Sequence, residues 1–343
     1  MAGRVELIID PARREKLSLR LPLESRVPPE EARRSLGLPP TIDLSDPIVA
    51  KAVGLLDAAR RADPPVRIAL FGGTAHRLRC PTSNDRALGL RHELHDLDIA
   101  VLSREIRAVQ QFLRSVADRE GSALTFFETS GDRIYNSLSG GQRLRWHMVT
   151  SQEGTEIVLG TLDLVADEFR FCHRFDVRAD VEAAAASGGT LSLARLLLAK
   201  SQFIREVPRE DSALVADRML EPFGKRSVVI GPEAKDVRDI LALVIDHPVG
   251  EGTEAISAEA LRAELVADWG LWKTVGLNLE MVARSKVLAG LPDPVHGRAE
   301  ERLRALRDLV ASLRPKRRFG LFGGAWWQEV DSTPSVDSTV GVS

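Results

Sequence analysis

Cysteine is scarce: Cys80 and Cys172 are the only two in 343 residues. Two thiols without motif spacing make neither a disulfide scaffold nor a zinc site, and they suit a reducing compartment. No apolar run is long enough to span a bilayer. The start, Met1-Ala2-Gly3-Arg4-Val5-Glu6, is charged early and lacks the apolar stretch of a signal peptide. The expectation is a cytoplasmic protein with no membrane partner. Charge of one sign is also missing. A net charge of -2 does not announce a nucleic-acid binder, although a local basic patch would suffice for one. No internal repeat, His-x-x-x-His, Cys-x-x-Cys or Ser-His-Asp arrangement is visible. His92, His95 and His173 are therefore expected to be structural or surface residues.

What remains is ordinary globular material. The chain is 44% hydrophobic and 28% charged, enough for a core and a solvated surface, and its length allows two or three domains. Residues 1–45 read as an N-terminal extension punctuated by Pro28-Pro29 and Pro39-Pro40. Ser45-Asp46-Pro47 opens a helix, which Pro64-Pro65 stops. Val66 to Phe71 reads as a strand ending at Gly72-Gly73. A helical turn and polar loop follow to about Leu90, and a second strand covers Asp96 to Leu102. Arg104 to Arg119 has the apolar spacing of an amphipathic helix. Strands are expected at 123–128, at 143–149 and, more clearly, at Glu156 to Val165.

After about residue 187 the pattern turns helical. Helices are expected over Leu191 to Arg205, Lys235 to Asp246, Ser257 to Trp269, Leu271 to Lys286 and Arg298 to Leu313. The resulting fold class is α+β: a mixed-sheet domain over 46–186, an all-helical domain over 187–315 and a tail over 316–343. A cleft between two packed domains is the expected place for a ligand. In the tail region, Arg314-Pro315-Lys316-Arg317-Arg318 is either a solvated helix end or a contact for RNA phosphates. Trp326-Trp327 is expected to pack against the body.

The chemistry concentrates in the first half. Asp96 and Asp98 lie in the run His95-Asp96-Leu97-Asp98-Ile99-Ala100-Val101. Alternate residues of a strand share a face, so the two carboxylates project together while Leu97, Ile99 and Val101 supply the buried face. Adjacent carboxylates repel unless a positive group lies between them, and a divalent metal is the usual answer. Gly72-Gly73-Thr74 joins a strand to a helix start. Such a turn is either simply tight or an amide cradle for an anion such as phosphate. Asp163 interrupts the apolar strand around Leu162 and Leu164, where an unpaired buried acid is costly. It either pairs locally or joins Asp96 and Asp98 as a third carboxylate able to hold two magnesium ions. Lys200 either snorkels out of an apolar helix or supplies a fixed positive charge to a triphosphate. Lys235-Asp236-Val237-Arg238-Asp239 places acid at a helix start, either for the helix dipole or to contact Lys200 or a nucleotide.

This order of motifs resembles the nucleotidyltransferase superfamily with the DNA polymerase β-like fold. Leu196-Leu197-Leu198-Ala199-Lys200 and the later Lys235-Asp236-Val237-Arg238-Asp239 are similar to the lysine and Arg-Asp motifs of its AbiEii-type, toxin-like branch. Asp163-Leu164-Val165-Ala166-Asp167-Glu168-Phe169-Arg170 with Cys172-His173 resembles uncharacterised bacterial nucleotidyltransferase-like proteins. The likeness covers roughly residues 46 to 280 and lies in the set of motifs.

The resemblance implies Mg2+, or Mn2+, held by catalytic Asp96, Asp98 and Asp163. It implies a nucleoside triphosphate near Gly72, Gly73 and Thr74, with Lys200 and Asp236 assisting. By analogy it further implies an acceptor hydroxyl on RNA such as transfer RNA, on a protein or on a small molecule, and an antitoxin protein as partner in a toxin–antitoxin or phage-defence role. The chain departs from the family pattern in the segment Thr74 to His95, which is longer than usual and carries Arg77, Arg79, Arg86 and Arg91. Those arginines are expected to gate the site or bind an acidic acceptor, unless the site has drifted.

Two alternatives stand beside this. One is a non-catalytic nucleotide- or partner-binding protein on the same fold. The other is a haloacid-dehalogenase-like phosphatase, suggested by Asp-x-Asp, a lysine and Asp236-x-x-Asp239 in order. That fold needs an apolar strand running into the first aspartate, whereas Arg91-His92-Glu93-Leu94-His95 precedes it here.

Overall fold

A computed structural model describes residues 19–21, 29–117, 124–127, 130–138, 143–152, 155–209, 218–223, 227–316 and 326–327. Most of the N-terminal extension before residue 29, and Arg317, Arg318 and nearly all of the tail, lie outside the described residues.

The first half is built on a six-stranded sheet. Its strands are β1 (Leu19–Leu21), β2 (Ala69–Phe71), β3 (Asp96–Val101), β4 (Leu124–Phe127), β5 (Arg143–Gln152) and β6 (Thr155–Ala166). Their spatial order is β1-β4-β5-β6-β3-β2. All neighbours are antiparallel except β3 and β6, which run parallel. Helices α1 (Pro29–Ser35), α2 (Pro47–Arg61), α3 (Gly72–Arg79), α4 (Ile106–Ala117) and α5 (Ser130–Leu138) belong to this half. The start of α2 follows from its sequence: the Asp46 side chain accepts from the amides of Ile48 and Val49, and Pro47 occupies the first turn. The strand anticipated from Val66 is shorter, because the Val66 amide instead donates to Ala59 O at the end of α2. The α5 helix was not expected.

Beyond β6 come the hairpin β7 (Glu168–Arg170) and β8 (Arg174–Asp176), then α6 (Arg178–Ala183) and α7 (Leu193–Ser201). The second half is not all helical. A three-stranded antiparallel sheet forms from β9 (Arg205–Pro208), β10 (Arg218–Phe223) and β11 (Ser227–Glu233). The β-branched run Val228-Val229-Ile230 buries itself there. This sheet also shortens the expected helix over Leu191 to Arg205, which ends at Ser201 as the chain turns into β9. Next come α8 (Ala234–Asp246), a short parallel pair β12 (Val249–Gly250) and β13 (Ile256–Ser257), and α9 (Ala258–Ala267). The chain continues through α10 (Trp269–Ala283), α11 (Lys286–Ala289) and α12 (Asp293–Ser312).

One cluster of buried apolar side chains runs from Ala32 to Leu313 and includes Leu97, Ile99, Leu162, Leu164, Leu197, Ile240 and Leu303. The mixed sheet and the helices of the second half therefore share a core. Asn278 on α10 ties that helix to the end of α7 and the turn into β9, donating to Ser201 O at 2.8 Å and Phe203 O at 2.7 Å. Trp326 and Trp327 pack on the body as expected: Trp327 is buried, and Trp326 Nε1 donates to Thr274 Oγ1 at 3.1 Å. Both cysteines are buried thiols. Among the described residues no helix is long and apolar enough to cross a membrane.

Candidate active site

Sheet register brings the acids together. Along one row the residue pairs are Phe71 with Asp98, Asp98 with Asp163 and Asp163 with Arg145. One step along, Asp96 faces Thr161 and Thr161 faces His147. Directly opposed residues share a sheet face, so Asp96, Asp98, Thr161, Asp163, Arg145 and His147 line one polar surface. Leu97, Ile99, Leu162, Leu164, Leu144 and Trp146 fall on the other, apolar surface.

Two glycines permit this crowding. Gly72 has φ +65°, and a Cβ there would overlap Asp98 Oδ2, so Asp98 lies directly against the strand-to-helix turn. Gly160 has φ +152°, and a Cβ there would overlap His95 O. The Thr161 amide donates to that same carbonyl at 2.9 Å. Gly160 also lies where the β5–β6 pairing shifts register, between Met148 and Val149. It thus lets the start of β3 dock on β6 and offset the strands so that Asp163 meets both Asp98 and Arg145.

Each carboxylate has a distinct environment. Asp96 Oδ1 accepts from Thr161 Oγ1 at 2.8 Å, and Thr74 Oγ1 donates to Asp96 O at 3.1 Å. Burial, followed by the charges of Asp163 and Asp96, pushes the Asp98 carboxyl well above the usual carboxylate range, while Lys200 and Arg145 oppose the shift. Asp163 is paired locally: Arg145 donates from Nε to Oδ1 at 2.6 Å and from Nη2 to Oδ2 at 2.8 Å. Among the described residues no three His, Cys, Asp or Glu side chains are gathered as a ready metal cluster. The three acids fit a divalent cation by residue type, face and register. Asp163 would have to exchange Arg145 for it.

The glycine turn opens α3, whose first residue has no side-chain cap behind it. The first amides of the helix therefore rely on other partners. Behind the turn lies a buried charge network. Lys200, in the last turn of α7, does not snorkel. Its Nζ lies 2.8 Å from both Asp236 Oδ1 and Asp239 Oδ2, with 13% of the side chain exposed. Burial works against its charge, yet the two carboxylates raise its pKa above the ordinary lysine value. Asp236 also accepts from the Glu233 amide in the capping box of α8, so its position is fixed by the helix start. Asp239 accepts from His92 Nε2 at 2.8 Å. Burial alone would raise the Asp239 pKa, but Lys200, His76 and His92 hold it well below the usual range.

The run Lys235 to Asp239 does contact Lys200, one of the two readings its sequence allowed, while His92, expected to be structural or surface, joins the network through Asp239. His92 carried no local signal. His76 completes the network: its Nδ1 lies 2.7 Å from Gly72 O, its Nε2 has no hydrogen-bond partner among the described residues, and burial lowers its pKa.

The long segment from Thr74 to His95 is tied inward. Arg77 is buried, donating to Ser83 O at 2.6 Å and to His92 O. Arg91 pairs with Asp43 and lies 3.8 Å from Asp46. Arg79 reaches Thr190 Oγ1 and Glu254. Three of the four arginines thus brace the fold instead of facing an acceptor, and only Arg86 lies exposed. The loop adds an anchored wall that delivers His92 to Asp239.

No protein-family model matches this chain, and no curated protein or solved structure matches it either. Function is therefore argued from the site.

Proposed function

We propose that this protein is a metal-dependent nucleotidyltransferase, moving a nucleoside monophosphate from a nucleoside triphosphate to an acceptor hydroxyl. The observation that carries this reading is the row Asp98–Asp163 with Asp96 beside it, packed against the Gly72-Gly73 turn. Asp96, Asp98 and Asp163 would hold the divalent cation. When bound, Mg2+ or Mn2+ activates the attacking hydroxyl and offsets phosphate charge. The amides at the start of α3 would donate to triphosphate oxygens. Lys200 acts through the site's field, because two carboxylates fix it and its charge opposes the upward shift of Asp98. In the reaction the acceptor oxygen bonds to the α-phosphorus and the α–β bridging P–O bond breaks. Pyrophosphate leaves, and the hydroxyl proton passes to solvent. The acceptor classes compatible with this chemistry are RNA such as transfer RNA, protein and small molecules.

One observation favours a second reading, a nucleotide-binding protein without catalysis. Asp163 is already neutralised by Arg145, and Lys200 by two acids. Incubation with each labelled triphosphate, Mg2+ and total RNA separates the two. Transfer of label by the wild type, lost in Asp96→Ala and Asp98→Ala, supports the enzyme. Label transfer unchanged in both variants overturns it, and triphosphate binding without transfer selects the binder.

A further inference from the structure

We propose that Arg145 is an exchangeable latch on the third carboxylate. It holds Asp163 in the absence of ligands and passes to the triphosphate when cation and nucleotide arrive together. This role rests on the nucleotidyl-transfer reading above and assigns a specific positioning residue to it.

Three features support the latch. The first is fit. Arg145 stands directly opposite Asp163 in the β5–β6 register, and its guanidinium grips both carboxylate oxygens, at 2.6 and 2.8 Å. The fork that matches a carboxylate in this way matches a phosphate equally well, so one anion can replace the other without loss of geometry.

The second is a fixed base with a partly exposed head. The Arg145 amide donates to Asn136 Oδ1 at 2.7 Å, and Asn136 Nδ2 donates back to Arg145 O at 3.1 Å, so α5 clamps this point of β5 on both backbone groups. Two residues on, His147 Nδ1 lies 2.8 Å from Asp132 Oδ2, a second tie from β5 to α5. The guanidinium itself keeps 26% of its side-chain surface exposed, and Asp163 keeps 16%. The chain holds the root of the side chain and leaves its head at the rim of the polar face.

The third is electrostatics. Of the two cations acting on Asp98, Lys200 is already committed to Asp236 and Asp239. Arg145 is bonded directly to a member of the acid row. A divalent cation seated on Asp163 with Arg145 still in place would meet a like charge at close range, which opposes binding. Moving Arg145 outward removes that opposition, and a triphosphate gives the guanidinium a new anion. Cation and nucleotide should therefore bind interdependently, each weakly alone.

The test is Mn2+ titration of the full chain, read by the paramagnetic resonance of free Mn2+, with no phosphate present. Arg145→Gln should bind Mn2+ about tenfold more tightly than wild type, the scale of one charge-assisted contact. That gain should vanish when Asp163→Asn is added. Calorimetric titration with Mn2+–tripolyphosphate should show the opposite order, Arg145→Gln binding about tenfold more weakly than wild type. Arg145→Lys, which keeps charge without the fork, should fall between the two in both titrations, and it carries the test if Arg145→Gln loses its circular dichroism signature. Equal Mn2+ affinity in wild type and Arg145→Gln overturns the latch while leaving the metal reading intact. Mn2+ binding to neither protein overturns both.

Discussion

Replacing Asp239 with Asn removes one charge from the buried network and tests whether that network is electrostatic in origin. Asp239 forms an ion pair with Lys200 and accepts from His92, each at 2.8 Å, with only 2% of its side chain exposed. Stripping one partner from a buried ion pair costs about 3–5 kcal/mol because the remaining charge stays desolvated. Asp236 still engages Lys200 in the variant, so the lower end applies, about 3 kcal/mol. For a chain of 343 residues, at about 2.1 cal/mol/K of unfolding entropy per residue, that loss lowers Tm by roughly 4 °C. The pH dependence has a definite sign. The folded-state pKa of Asp239 lies below its unfolded value, so the folded protein binds fewer protons. Its contribution is present in full above the unfolded value, near pH 4, and is lost as pH falls toward the depressed folded value. Thermal unfolding followed by circular dichroism at pH 7 should show the full difference between wild type and Asp239→Asn. The gap should narrow steadily below about pH 4. A Tm within a degree of wild type at pH 7 would refute the argument, and so would a gap of constant size from pH 7 to pH 3.

Other perturbations probe separate parts of the site. Gly72→Ala forces an L residue into φ +65° and drives its Cβ into Asp98. A loss of about 2–3 kcal/mol in denaturant unfolding, together with loss of label transfer, is expected. Gly160→Ala should act through register, displacing His95 and misaligning Asp163 with Asp98. Its expected signature is weakened Mn2+ binding out of proportion to any fall in Tm. Arg77→Met leaves the carbonyls of Ser83 and His92 without their buried donor. A loss of about 2–4 kcal/mol is expected, with faster proteolysis between Thr74 and His95. Asn278→Ala unpairs the Ser201 and Phe203 carbonyls and should cost about 2 kcal/mol, with far less effect on Mn2+ binding than on unfolding.

The parts of the fold legible in the sequence are those decided locally. Asp46 and Pro47 set the start of α2 through a capping bond and a fixed φ, both properties of adjacent residues. The alternation that puts Asp96 and Asp98 on one face and Leu97 and Ile99 on the other follows from strand geometry alone. The β9–β11 sheet was not legible because β9 reads Arg-Glu-Val-Pro, a polar segment with a proline. It follows a leucine-rich run of high helix propensity. Only its pairing to β11 makes it a strand, and that partner lies beyond the intervening β10 hairpin.

The site divides along the same line. Asp96, Asp98 and Asp163 were visible as chemically expensive residues in apolar strands, whereas their partners were not. Arg145 meets Asp163 because of the β5–β6 register, and a slip of one residue would send it to the opposite face. That register shifts beside Gly160, whose missing side chain accommodates a carbonyl from a third strand. His92 and Asp239 are 147 positions apart in the chain, and Arg77, donating to His92 O, helps hold His92 inward. In both cases the acid is announced by what its burial would cost, while the cation or imidazole that relieves the cost is supplied from elsewhere in the fold. A sequence can mark where charge must be compensated. Whether a metal ion or a side chain does so depends on register. In this protein the register places a guanidinium on Asp163, so a side chain already meets the cost of that acid.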